Sequence, residues 1–152
     1  MLHHLRKLLE GPEDAPETLD EADAQVAVAA ILVEAARADG HYEVSERNTI
    51  DRVLARRFGI GEDQAAEARQ EGEALQAEAS DIVRFTRAIK ATVPHDERVG
   101  VVEALWEVIY ADGLRETHET ALMRRLAGLL YVEDREVGLA RQRVASRLGH
   151  ES

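Results

Sequence analysis

Two segments of this chain are too apolar to lie anywhere but inside, and both end in the same three letters. Residues 26–36 read VAVAAILVEAA and residues 97–111 read ERVGVVEALWEVIYA; each runs into Ala-Asp-Gly, at 38–40 and at 111–113. A helix that is apolar nearly all round has no face to offer to solvent, so it must sit at the centre of a larger packing. Two of them predict an all-α bundle built around a central pair. Composition agrees. Aromatics are only 4% of the chain and alanine and leucine dominate, which favours packed helices over strands rich in β-branched and aromatic residues. At 152 residues the chain is long enough for one domain with a real core.

Several function classes fall away on composition. There is no cysteine, which excludes disulfides, thiolate metal sites and a cysteine nucleophile. A net charge of −11 is repelled by phosphate backbones and argues against a nucleic-acid partner. The longest apolar run is too short to span a bilayer, and the N-terminal MLHHLRKLLEGP lacks the hydrophobic stretch and cleavage site of a signal peptide, so a cytoplasmic protein is expected. No nucleophile elbow, phosphate loop or dinucleotide fingerprint occurs.

Seven main helices are expected after an N-terminal one and its linker, GPEDAP, in residues 1–19; the domain proper is expected over 20–150. The predicted helices cover about 20–38, 44–58, a stretch that starts within GIGED (59–63) and runs to about 79, 81–92, 97–111, 117–130 and 133–148. Inward stripes are Ile50, Val53, Leu54 and Phe58; Ile82, Phe85, Thr86 and Ile89; Leu122, Leu126, Leu129 and Leu130; and Val137, Ala140, Val144 and Leu148. Residues 62–81 carry seven acids against Arg69 alone and read as a solvated helix face. Arg84, Arg87 and Lys90 read as a solvated or salt-bridged stripe.

Shifting residues 32–46 by 73 lays them on 105–119, and seven of the fifteen positions are then identical: Leu32/Leu105, Glu34/Glu107, Ala38/Ala111, Asp39/Asp112, Gly40/Gly113, Glu43/Glu116 and Glu46/Glu119. Repeated apolar residues follow from repeated packing. Repeated acids ask for a further cause. One cause is structural: the glycines supply a left-handed turn, the aspartates bond loop N–H groups, and Glu43, Glu46, Glu116 and Glu119 cap the helix that follows. Glu34 and Glu107 escape that account because they lie in the two apolar helices, although Arg37 is one turn from Glu34.

The other cause is a cation site. Asp-Gly-x5-Glu is also the second half of an EF-hand loop, but the first and third ligand positions would be Ala35 and Arg37, or Val108 and Tyr110, which offer no side-chain carboxylate. A looser oxygen-rich site remains, with acids of both corners meeting; Ca²⁺ or Mg²⁺ suits such donors better than Zn²⁺. The candidate ligands are Asp39, Glu43, Glu46, Asp112, Glu116, Glu119, Glu34 and Glu107. His41 and His118 flank the corners at non-equivalent positions and form no matched pair.

Together LVEAARADG, RFTRAIK, ALWEVIYADG and a helix ending RRLAGLL resemble the TerB-like (tellurite resistance protein B) family, in its stand-alone bacterial branch, over about residues 20–148. The resemblance implies an all-α bundle with an internal pseudo-twofold. That fold is similar to the N-terminal domain of membrane-anchored DnaJ-type (DjlA-type) co-chaperones, whose J domain and anchor this sequence lacks. It also implies a stress-response setting, a metal-sensing scaffold at the inner membrane face and a protein partner, and it matches the family's acidic positions to Asp39, Glu43, Glu46, Asp112, Glu116 and Glu119, with Glu34 and Glu107 within the helices. Three readings stand at this point: a non-enzymatic module binding a divalent cation or a partner protein, a metal-dependent hydrolase-type enzyme using the carboxylates, or a structural domain whose corners are duplicated capping devices. Whether the two corners converge in space discriminates among them.

Overall fold

A computed structural model describes residues 21–38, 42–78, 82–111 and 117–148, with the side chains of 21–22, 111 and 117–120 excepted. The described residues form seven helices and no strand: α1 (Glu21–Arg37), α2 (Val44–Phe58), α3 (Glu62–Glu78), α4 (Ile82–Thr92), α5 (His95–Ala111), α6 (Thr117–Leu129) and α7 (Asp134–Arg147). The expected N-terminal helix lies outside the described residues.

The two apolar segments are the centre of the molecule. From Val26 to Val33 every residue of α1 is buried, and so is every residue of α5 from Val101 to Tyr110. They pack directly on each other. Their relative direction follows from what they share. Ala24 and Val28, near the start of α1, line the same cleft as Gly100 and Val101, near the start of α5. Ala35, near the end of α1, closes a small apolar pocket with Leu105 and Ile109, near the end of α5. The two helices therefore run parallel, and the chain leaves both of them, towards Asp39 and towards Asp112, at the same end of the bundle.

The remaining helices wrap this pair. α3 lies along α1 at unusually close range, because its contact residues are small: Ala65, Ala68 and Gly72 are buried, and a Cβ built on Gly72 would stand 2.8 Å from the Ala30 nitrogen and 2.9 Å from the Ala29 Cβ. The opposite face of α3, with Glu62, Asp63, Glu67 and Glu78, is exposed, as its charge pattern requires. α7 lies along α5, α2 bridges α3 and α5, and α4 buries Ile82, Phe85, Thr86 and Ile89 against α1 while also meeting α6.

Helix ends carry the same devices in both halves. At the start of α2, Glu43 and Glu46 form a reciprocal capping box in which the Glu43 N–H donates to Glu46 Oε1 at 2.6 Å; Glu133 and Glu136 repeat it at the start of α7, at 3.2 Å. At the end of α2, Gly59 takes a left-handed conformation with φ +64, and the Ile60 N–H returns to the Ala55 carbonyl. At the end of α6 the left-handed residue is Tyr131, φ 59, and the Val132 N–H returns to the Ala127 carbonyl.

Two expectations needed adjustment. Pro94 leaves the helical start to His95, so α5 begins two residues earlier than its apolar pattern suggested, with the Glu97 and Arg98 N–H groups donating to the Pro94 carbonyl. Leu148 was expected inward with Val144, but α7 ends at Arg147 and Leu148 is 45% exposed.

Candidate functional site

The eight candidate acids divide by what they touch. Asp39, Asp112 and Glu116 lie outside the described residues, as do Gly40 and Gly113; Glu119 is in the first turn of α6, with its side chain likewise outside. Glu43 and Glu46 are engaged in the α2 capping box. Glu34 and Glu107, the two acids that capping could not explain, are each held by partners distant in sequence.

Glu34 faces α3. Its Oε1 accepts from Gln76 Nε2 at 2.9 Å, and the Oε1 of the same amide accepts from Arg37. Arg37 thus serves Glu34 at one remove, through Gln76, rather than by the direct pairing its spacing suggested. The seam continues outward: the Arg37 guanidinium lies over the Tyr42 ring, and the Tyr42 hydroxyl donates to Glu73 at 2.5 Å. Arg69 then joins Glu73, at 2.9 Å, to Asp51 of α2, at 2.7 Å. Burial and the bond to Glu73 both push the Tyr42 hydroxyl above its ordinary pKa, so it stays a donor.

Glu107 lies in a second, stronger seam between α2, α5 and α7. It is ion-paired with Arg56, with Arg57 at 3.3 Å and with Arg147 at 3.5 Å, and its side chain is only 5% exposed. Glu103, one turn earlier, is paired with Arg57 at 2.7 Å, Arg143 at 2.7 Å and Arg147 at 3.7 Å. Four arginines therefore converge on two carboxylates, and Arg57 and Arg147 each touch both. A buried carboxylate is tolerated only when paired and hydrogen-bonded, and this arrangement meets the condition for Glu107 at its four-percent residue exposure. Glu103 was not singled out from the sequence; its signal was its position one turn from Glu107 in the same apolar helix.

The electrostatics of Glu103 give a measurable consequence. Burial raises its carboxyl, but the bonds from Arg57 and Arg143 outweigh burial and hold it below the ordinary carboxylate value. A group whose pKa is lowered by folding stabilises above its unfolded pKa and loses that contribution as pH falls through the folded value. The contribution of Glu103 to the melting temperature should therefore be full and independent of pH near neutrality and decline once pH drops below the ordinary value of 4.5. Glu103→Gln should begin lower at neutral pH and lose less on acidification; parallel curves for both proteins across that window would refute the assignment.

Among the described residues there is no group of three or more histidine, aspartate or glutamate side chains arranged to hold a metal ion, and no helix long and apolar enough to cross a membrane. A cleft of about 670 Å³ lies between the starts of α1 and α5, the end of α2 and the α4–α5 turn. It is lined by Arg57, Phe58, Asp96 and Glu97 among others; of the candidate acids whose side chains are described, Glu34, Glu43, Glu46 and Glu107, none lines it.

Comparison with curated proteins and with solved structures found no match. Comparison with protein families did: the family model described as tellurite resistance protein TerB matches residues 25–142, from the second turn of α1 into α7 and across both Asp-Gly corners. That span covers most of the chain, all of α5 and all of α1 but its first four residues, and the chain belongs to the TerB family.

Proposed function

We propose that this TerB-family chain is a non-enzymatic binding module that takes a divalent cation at the end of the bundle where α1 and α5 both terminate. The observation that carries the reading is the parallel course of those helices, whose C-termini, each followed in the sequence by Asp-Gly, lie at the same end of the bundle. The ligands assigned are Asp39, Asp112, Glu116 and Glu119. Glu43 and Glu46 frame the first corner from the capping box, while Glu34 and Glu107 support the helices rather than the ion, since each is engaged by its own seam. Carboxylates in this number suit a hard cation, Ca²⁺ or Mg²⁺. The similar lengths of the two halves support an internal duplication as the origin of the paired corners: α2 and α6 begin 73 residues apart, the shift that aligns the repeated acids. A role in stress response follows the family's name and is part of the proposal.

The test is thermal melting of the wild-type chain and of Asp39→Asn/Asp112→Asn, with chelator and with millimolar Ca²⁺ or Mg²⁺. An ion that binds only the folded state adds RT ln(1 + [L]/Kd) to stability, so the wild-type melting temperature should rise with cation. The variant should melt at or above wild type in chelator, because like charges have been removed, and should no longer respond to cation. A wild-type melting temperature unmoved by either cation would remove the cation reading.

A further inference from the structure

The seam of α2, α5 and α7 is over-supplied with positive charge. Arg56, Arg57, Arg143 and Arg147 are ion-paired with Glu103 and Glu107 and, among the described residues, with no other acid, which leaves two positive charges uncompensated. In a chain of net charge −11 that surplus is not a reflection of composition. All four carboxylate oxygens are already engaged: Oε1 and Oε2 of Glu103 by Arg57, Arg147 and Arg143, and Oε1 and Oε2 of Glu107 by Arg57, Arg56 and Arg147. Guanidinium groups present five N–H donors each, so most donors of the cluster have no acceptor within it. Arg143 and Arg147 are 49% and 42% exposed, and they line an open basin of about 500 Å³ on the outer face of α7 together with Gln142, Ser146 and Leu139. Every polar side chain of that lining can donate a hydrogen bond, and no acid is among its described residues.

We infer that this basin is a binding site for a small phosphate-type oxyanion, gripped by Arg143 and Arg147 and completed by Gln142 and Ser146. Forked guanidiniums match the edge of a phosphate, and bonds between two charged partners are the strong ones. Glu103 and Glu107 are then positioning residues that hold the arginines erect from beneath. The occupant is a small ion or a phosphomonoester, because an extended polyanion, nucleic acid or an anionic bilayer alike, would be repelled by the acidic remainder of the surface. The site uses none of the corner acids assigned to the cation, so either proposal can fail without the other.

The probe is inorganic phosphate, titrated against chloride at constant ionic strength into the full chain, with melting temperature and the arginine guanidinium resonances as readouts. A saturable rise in melting temperature is expected, with the Arg143 and Arg147 resonances moving along the same curve. Arg143→Gln/Arg147→Gln should weaken phosphate binding by about tenfold or more, since each charge-assisted hydrogen bond lost is worth roughly that factor. Both glutamates keep Arg57 in that variant, which preserves the fold. The exposed pair Arg124→Gln/Arg125→Gln carries the same change in net charge and should bind as wild type does. If the control pair loses binding equally, or if phosphate moves neither resonance in the wild-type chain, the inference is overturned; the second readout needs no variant to fold. Vesicles bearing a phosphatidic acid headgroup form the other arm. Retention on vesicles without a response to free phosphate would overturn the assignment to a small soluble anion.

Discussion

Glu107→Ala is expected to destabilise the chain by about 3 kcal/mol, the lower end of the range for breaking a buried ion pair from one side. Among the described residues its carboxylate is the one anion that Arg56 touches, and it shares Arg57 and Arg147 with Glu103. The lower end applies because Arg56 is 56% exposed and can return to water, while Arg57 and Arg147 retain Glu103. Burial and the neighbouring cations Arg57 and Arg147 lower the Arg56 pKa, the mark of a guanidinium held among other guanidiniums. Removing Glu107 leaves that repulsion in place and takes away its compensation. Urea unfolding is the measurement, and Glu107→Ala/Arg56→Ala is the informative companion: the two losses should sum to more than the double variant costs, because the residues act as one unit. Strict additivity, or a single-variant loss below about 1 kcal/mol as for an ordinary exposed pair, would show that the seam is not energetically coupled.

Gly72→Ala should also destabilise, by about 1–2 kcal/mol, although alanine is the better helix former. The intrinsic gain of alanine over glycine is roughly 0.5–1 kcal/mol, while forcing a methyl into a filled contact costs about 1–3 kcal/mol. The second effect wins here because the obstruction is backbone, the Ala30 nitrogen at 2.8 Å, and not the end of a side chain that could swing aside. Gly72→Val should be worse. In a chain of this size each kcal/mol lowers the melting temperature by about 2–4 °C. Gly128→Ala and Gly138→Ala make suitable controls, since a Cβ at either position meets nothing within 4 Å. Equal behaviour of Gly72→Ala and these controls would mean that α1 and α3 can separate at no cost.

What could be read from the sequence was what depends on neighbours in the chain. Helix limits were legible within about two residues because apolar periodicity and the Gly and Pro punctuation are local; Gly59 and Pro94 stand where helices stop and start. The capping role of Glu43 and Glu46 was legible for the same reason, since both bonds close within four residues. The partners of Glu34 and Glu107 were not. Gln76 is 42 positions from Glu34, and Arg57 is 50 from Glu107, so no periodicity connects them. The sequence could mark those acids as anomalous in an apolar helix, and it could not say whether an ion or an arginine answered them. Gly72 was equally silent: in an acidic, alanine-rich segment it looks like any weak point of a helix, and only the approach of α1 gives it a purpose.

The parallel course of α1 and α5 has a consequence for the field around the corners. Each helix acts as a dipole with roughly half a negative charge at its C-terminus, and two aligned helices ending together add these charges instead of cancelling them, as antiparallel neighbours would. α3 lies parallel to α1, as the pairing of Gly72 with Ala30 and of Gln76 with Glu34 requires, and α7 lies parallel to α5, as His95 with Glu136 and Glu103 with Arg143 require. Four C-termini thus face one way, and at α7 Arg147 in the last turn answers the dipole. Only α1 among the central pair answers with a basic residue in its last turn, Arg37, and that guanidinium is turned towards Gln76 and the Tyr42 ring; α5 has none. The backbone itself therefore makes this end of the molecule a sink for positive charge, before any acidic side chain is counted.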